Sequence, residues 1–61
     1  MLFVVAIEGE KHEFKSFWDA KWTYEQLRLN GCPEAVLRRE DENEVLVWNS
    51  KANAFFLAYK K

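Results

Sequence analysis

The run Ser16-Phe17-Trp18-Asp19-Ala20-Lys21-Trp22-Thr23-Tyr24-Glu25-Gln26-Leu27-Arg28-Leu29-Asn30-Gly31 decides the fold of this chain. Ser16 is a good N-cap, and Asp19 three residues on stands where a capping-box acid belongs. Gly31 occupies the position of a left-handed C-cap, and Pro33 prevents continuation. The spacing therefore predicts a helix over Phe17 to Asn30. At about 100° per residue, Phe17, Ala20, Tyr24 and Leu27 share one sector of that helix, and Trp18, Trp22 and Leu29 share another that lies roughly opposite. Lys21, Glu25 and Arg28 form one polar seam between the two sectors, with an ion pair expected from Glu25 to Arg28. Asp19, Thr23, Gln26 and Asn30 form the other.

The segments on either side read as strands. Leu2-Phe3-Val4-Val5-Ala6-Ile7 is rich in β-branched residues and apolar on both alternating faces, as a central strand is. Glu8-Gly9-Glu10 marks a tight turn. Lys11 to Lys15 alternates, with His12 and Phe14 on one side, so it reads as a half-exposed strand paired with the first as a hairpin. His12 is then expected to be partly buried and satisfied. Beyond the helix, Ala35 to Arg39 reads as a third strand, Glu40 to Asn43 as an acidic turn and Val45 to Trp48 as a fourth strand. The stretch Ala54 to Tyr59 is either a fifth strand or a short helix capped by Ser50, and the strand is the preferred reading because Asn49 to Asn53 resembles a hairpin loop. The fold expected is a two-layer α+β domain in the order β-β-α-β-β, then a C-terminal strand or short helix. One helix packs on an antiparallel sheet of four to five strands.

Composition bounds what such a domain can be. Sixty-one residues make one domain. A chain of that length buries only about 60% of the surface its unfolded form exposes, so its core is marginal. Cys32 is the sole cysteine and His12 the sole histidine. That excludes an internal disulfide and leaves too few ligands for a structural zinc site, for which four Cys or His are usual. Stability must come from dense apolar content or self-association. The composition fits: 49% of residues are hydrophobic, with five Phe, three Trp and two Tyr.

The formal charge of -1 gives no overall positive field for nucleic acid. The longest apolar run is far too short to cross a bilayer, so no membrane partner is expected. A single cysteine without a leader suggests a reducing compartment, and the expected location is cytoplasmic.

No catalytic set is legible. Cys32 follows the helix C-terminus, where the dipole disfavours a thiolate, and His12 is the only candidate base. Ser/His/Asp groupings, phosphate-binding Gly loops and nucleotide fingerprints are missing. The carboxylates Glu40, Asp41, Glu42 and Glu44 lack the spacing and the Gly of a calcium loop, and they read as a solvated turn. No cofactor is implied.

Phe14 to Phe17, then Asp19-Ala20, Leu27, Gly31 and Ala35-Val36-Leu37, are loosely similar to the strand-helix-strand unit of peptidoglycan-binding SPOR domains. The resemblance covers under half the chain, and the second such unit of that family is missing. It therefore brings no function with it.

The functional expectation rests on the second helix stripe. A helix on an open sheet needs one apolar stripe. Trp18, Trp22 and Leu29 are either core covered by the C-terminal segment or a contact surface. In the second case the protein is a small non-enzymatic binding module, a regulator or inhibitor of the size that hosts and viruses both encode. Trp18, Trp22 and Leu29 would anchor it, with Lys21, Glu25 and Arg28 as a polar rim. The partner would be another protein, or a second copy forming a homodimer. The alternative is a nucleic-acid-binding protein that uses the same face together with Arg38, Arg39, Lys60 and Lys61.

Overall fold

The computed structural model describes all 61 residues. Their order is β1 (Leu2–Ile7), β2 (Glu10–Phe14), α1 (Phe17–Leu29), β3 (Val36–Glu40), β4 (Glu44–Asn49) and β5 (Ala54–Lys60). The five strands form one antiparallel sheet in the spatial order β2-β1-β3-β4-β5. A hairpin thus leads into the helix, and a three-strand meander follows it. The sheet is open and α1 lies on one face, so the fold is α+β with two layers.

The helix ends as its sequence predicts, but it does not begin that way. Ser16 is extended (φ -106°, ψ 131°), yet its hydroxyl makes no capping hydrogen bond, and the capping box with Asp19 is not formed. The backbone alone starts the helix, through the Ala20 N–H donating to the Ser16 carbonyl at 3.2 Å. At the other end Asn30 is the cap residue and Gly31 follows at φ +95°. The Cys32 N–H donates to the Leu27 carbonyl at 2.9 Å and the Gly31 N–H to Arg28 at 3.4 Å, the bonding pattern of a Schellman motif.

Ala54–Lys60 is a strand. The preceding turn is closed by Asn49, whose Oδ1 accepts from the N–H groups of Lys51 and Ala52 at 3.0 Å each. Asn53 then takes a positive φ of 51°, which asparagine tolerates better than most residues. The turn folds the segment back on β4, from Asn49 opposite Ala54 to Glu44 opposite Lys60, and Ser50 is used in the turn rather than as a helix cap.

The core lies between α1 and the β1–β3 region. Phe3 and Val5 of β1, Leu37 of β3, Ala20 and Tyr24 of α1, and Ala35 are buried together. Ile7, Phe14, Phe17, Leu27, Trp48 and Phe55 pack around them, half-buried. The helix leaves β2 at Phe14, the one residue of that strand that is not exposed. His12 shares that side of the strand but lies nearer the hairpin tip. It is exposed rather than partly buried, 3.3 Å from Glu10.

The opposite face of the sheet has no covering layer, yet Val4 and Val45 are buried on it at 2% and 1% exposure. For these two residues the side chains of the sheet itself supply the covering. Arg38 stands beside Val4 and Val47 in register, 3.0 Å from Glu40, its side chain largely buried, as a long aliphatic stem allows while the guanidinium stays paired. Val36, Phe56 and Tyr59 remain exposed there.

Candidate aromatic contact face

The two helix stripes separate as their angular spacing requires. Ala20 and Tyr24 are buried, and Phe17 and Leu27 pack against the core. Trp18, Trp22 and Leu29 point away from the sheet, exposed by 72%, 65% and 78%. The C-terminal segment that alone could have covered them is the edge strand of the sheet. These three side chains are therefore surface, and the reading of them as core is excluded.

The face is tethered to the core at one end. Phe17 meets Trp18 edge-on at 5.3 Å, and it also touches Phe3, Trp48 and Phe55 at 5.4 to 5.8 Å. Aromatic pairs at such separations are favourable in tilted and edge-to-face arrangements. Trp18 is thus held in place from below while most of its surface faces water. A rigid aromatic of this kind loses little entropy on contact, which is why such residues serve as anchors.

Lys21, Glu25 and Arg28 form the seam on the flank toward β4. Lys21 Nζ lies 5.9 Å from the Trp18 ring and 5.7 Å from the Trp48 ring, within the range of cation–π attraction. The expected pair between Glu25 and Arg28 is absent. Arg28 turns inward instead, its Nη1 donating to the Tyr24 hydroxyl at 2.6 Å with the guanidinium over the same ring at 5.5 Å. The buried phenol needs a partner and the exposed Glu25 can use water, which accounts for the choice. Lys21 and Glu25 have no ion-pair partner in the chain.

Trp48 was not singled out from sequence as a site residue. Strand alternation places it on the helix side, opposite Phe55 and next to α1. It lines a cleft of about 430 Å³ between the helix and the β4–β5 turn, shared with Lys21, Tyr24, Arg28, Leu29 and Asn53. Only period-two alternation from Leu46 could have flagged it, and that pattern also fits plain core.

The second set of candidates is not brought together. Arg38 and Arg39 project to opposite faces, each held by a carboxylate, Arg38 by Glu40 at 3.0 Å and Arg39 by Asp41 at 2.9 Å. Arg39 alone reaches the helix side, beside Phe3, Phe17 and Trp48. Lys60 sits at the end of β5 opposite Glu44, and Lys61 follows it. Nowhere do three or more His, Cys, Asp or Glu side chains gather in a way that could hold a metal ion. No helix is long and apolar enough to cross a membrane. The chain matches no protein-family model, and no curated protein or solved structure is significantly similar to it.

Proposed function

We propose that this chain is a small non-enzymatic protein-binding module, a regulator or inhibitor that works by occupying a surface on a partner protein through the outer face of α1. The observation that carries the reading is the exposure of Trp18, Trp22 and Leu29 in one stripe, on a helix whose other stripe already satisfies the sheet. Large rigid apolar groups at the centre of a patch, with Lys21, Glu25 and Arg28 as its rim, match the anatomy of protein interfaces. The free thiol of Cys32 suits a reducing compartment, and we place the protein in the cytoplasm.

The test compares the wild type with Trp18→Ala, Trp22→Ala and Cys32→Ser as immobilised baits in lysate of the source cell, followed by titration of any purified interactor. Each Trp variant should weaken binding by about 30-fold, the equivalent of a hot spot of roughly 2 kcal/mol. Cys32→Ser should leave it unchanged. Binding that survives both Trp substitutions refutes the reading.

A second reading has one observation in its favour: Lys21 lies over both Trp18 and Trp48, a cation beside two stacking surfaces. Titration of a labelled single-stranded oligonucleotide at rising salt separates the two. Affinity for nucleic acid falls steeply with ionic strength, whereas apolar anchoring does not.

A further inference from the structure

We infer that the occupant of the α1 face is a second copy of this chain, packed helix against helix in antiparallel fashion across a two-fold axis near the middle of α1. The inference rests on the reading of that face as a contact surface and names its partner.

The pattern of the face is complementary to itself. Trp18 and Leu29 stand near opposite ends of α1 with Trp22 between them. Reversing one helix about the midpoint of that pair brings Trp18 over Leu29 of the second copy, at both ends of the contact. The same operation sets the two Trp22 indoles about 4.5 Å apart along the axis, at a rise of 1.5 Å per residue, close enough to pack side by side.

The seam agrees with this register. In an antiparallel pair each flank meets its own symmetry mate. Lys21 then lies within about 1.5 Å, along the axis, of the level of Glu25 of the second copy, and Glu25 likewise of Lys21. These two side chains have no ion-pair partner inside the chain. Two equivalent ion pairs would form across the axis, closer in level than any like-charged pair of the seam. The nearest of those is Arg28 with Lys21 of the second copy, at about 3 Å along the axis, and Arg28 is already engaged by the Tyr24 hydroxyl. An unrelated partner would need such a charge order by chance, whereas a second copy has it by symmetry.

The area also suffices. With a whole tryptophan at about 250 Å², the exposures of Trp18, Trp22 and Leu29 amount to roughly 450 Å² per chain. Two copies contribute about 900 Å² from these residues alone, and the seams raise this to the roughly 1,200 Å² at which specific interfaces begin. A weak, concentration-dependent dimer is the expected result.

The experiment is sedimentation equilibrium over a wide concentration range, with circular dichroism as a control for folding. The wild type should dimerise. Trp22→Glu should be monomeric. Lys21→Glu alone and Glu25→Lys alone should each weaken the dimer about tenfold or more, because each sets like charges against each other twice. A one-to-one mixture of these two charge variants should form a heterodimer at least as tight as the wild type, since both cross-axis pairs are then between opposite charges. A mixture no tighter than the single variants overturns the antiparallel register. Dimerisation that survives Trp22→Glu moves the contact to another surface, such as the bare sheet face, and overturns the inference. A wild type that stays monomeric while its indoles remain open to quencher also overturns it, but leaves a different protein as partner. A monomer with protected indoles removes the contact face altogether.

Discussion

Trp22 and Tyr24 are two residues apart on one helix, and their truncation should have very different consequences. Tyr24 is 5% exposed. Tyr24→Ala removes nearly 200 Å² of hidden surface, worth nearly 5 kcal/mol at roughly 25 cal/mol per Å², the upper end of the usual 3–5 kcal/mol for losing a buried aromatic. The substitution also strips Arg28 of its hydrogen-bond acceptor. Trp22 hides only about a third of its surface, so the same arithmetic gives Trp22→Ala a ceiling of about 2 kcal/mol. Much of that contact is with its own helix, and alanine is the better helix former by about 0.5 kcal/mol, so the net cost should stay below about 1 kcal/mol. For a domain of this size 1 kcal/mol moves the melting temperature by roughly 4–8 °C. The whole stability of 61 residues is on the order of 3–9 kcal/mol. Thermal melts followed by far-ultraviolet circular dichroism, at low micromolar concentration where a weak dimer has dissociated, should show Trp22→Ala within a few degrees of the wild type. Tyr24→Ala should melt at least about 12 °C lower or show no cooperative transition. Equal losses for the two variants would refute the assignment of the stripes, because Trp22 would then be core.

At low micromolar concentration, where a weak dimer has dissociated, iodide quenching should reach the indoles of Trp18 and Trp22 far more readily than that of Trp48, so Trp18→Phe and Trp22→Phe should each remove a quenchable component that Trp48→Phe leaves in place. Gly31→Ala should cost about 1 kcal/mol in chemical denaturation, because φ there is +95° although space for a methyl group is free. Asn49→Ala should cost about 1 kcal/mol and loosen the β4–β5 hairpin, visible as faster amide exchange at Lys51 and Ala52, whose N–H groups lose their acceptor.

Most of the architecture was legible because its signals are local. Gly9 and Gly31 sit at positive φ where the turn and the helix end demand it, and the apolar sectors of α1 follow from angle alone. The tail was harder. Phe55 to Tyr59 lacks β-branched residues, and only the turn chemistry of Asn49 and Asn53 favours a strand. The N-cap failed because Ser16 has the right backbone shape but its hydroxyl is not engaged, a matter of rotamer that sequence does not specify. Arg28 shows the same limit. Spacing pairs it with Glu25, but a buried phenol at Tyr24 competes, and its burial is a tertiary fact. Exposure of Trp18 and Trp22 depended on where the last strand went, which no property of the helix reveals.

A helix about 10 Å across covers roughly two strands spaced about 4.8 Å apart, so one helix cannot cover a five-stranded sheet. α1 lies chiefly over β1, β2 and β3 and reaches β4 and β5 through Phe17 on Trp48 and Phe55. Leu57, on the helix side of β5, is exposed as a consequence of this shortage, and Phe56 and Tyr59 are exposed on the face that has no covering layer. The two sheet edges nonetheless carry features that resist strand addition. The β2 edge reads Glu10, Lys11, His12, Glu13, and charged side chains blunt an edge. The β5 edge is broken where the register passes from Leu57 to Tyr59 and skips Ala58, and it ends in Lys60. The helix stripe is guarded less. Glu25, three residues after Trp22 and four before Leu29, is the one charged group among Trp18, Trp22 and Leu29, and Lys21 and Arg28 flank them. The edges of the sheet carry features that resist association while the outer stripe of α1 presents two tryptophans and a leucine at the surface, and this contrast supports the proposal that α1, rather than the exposed strand residues, is the contact face.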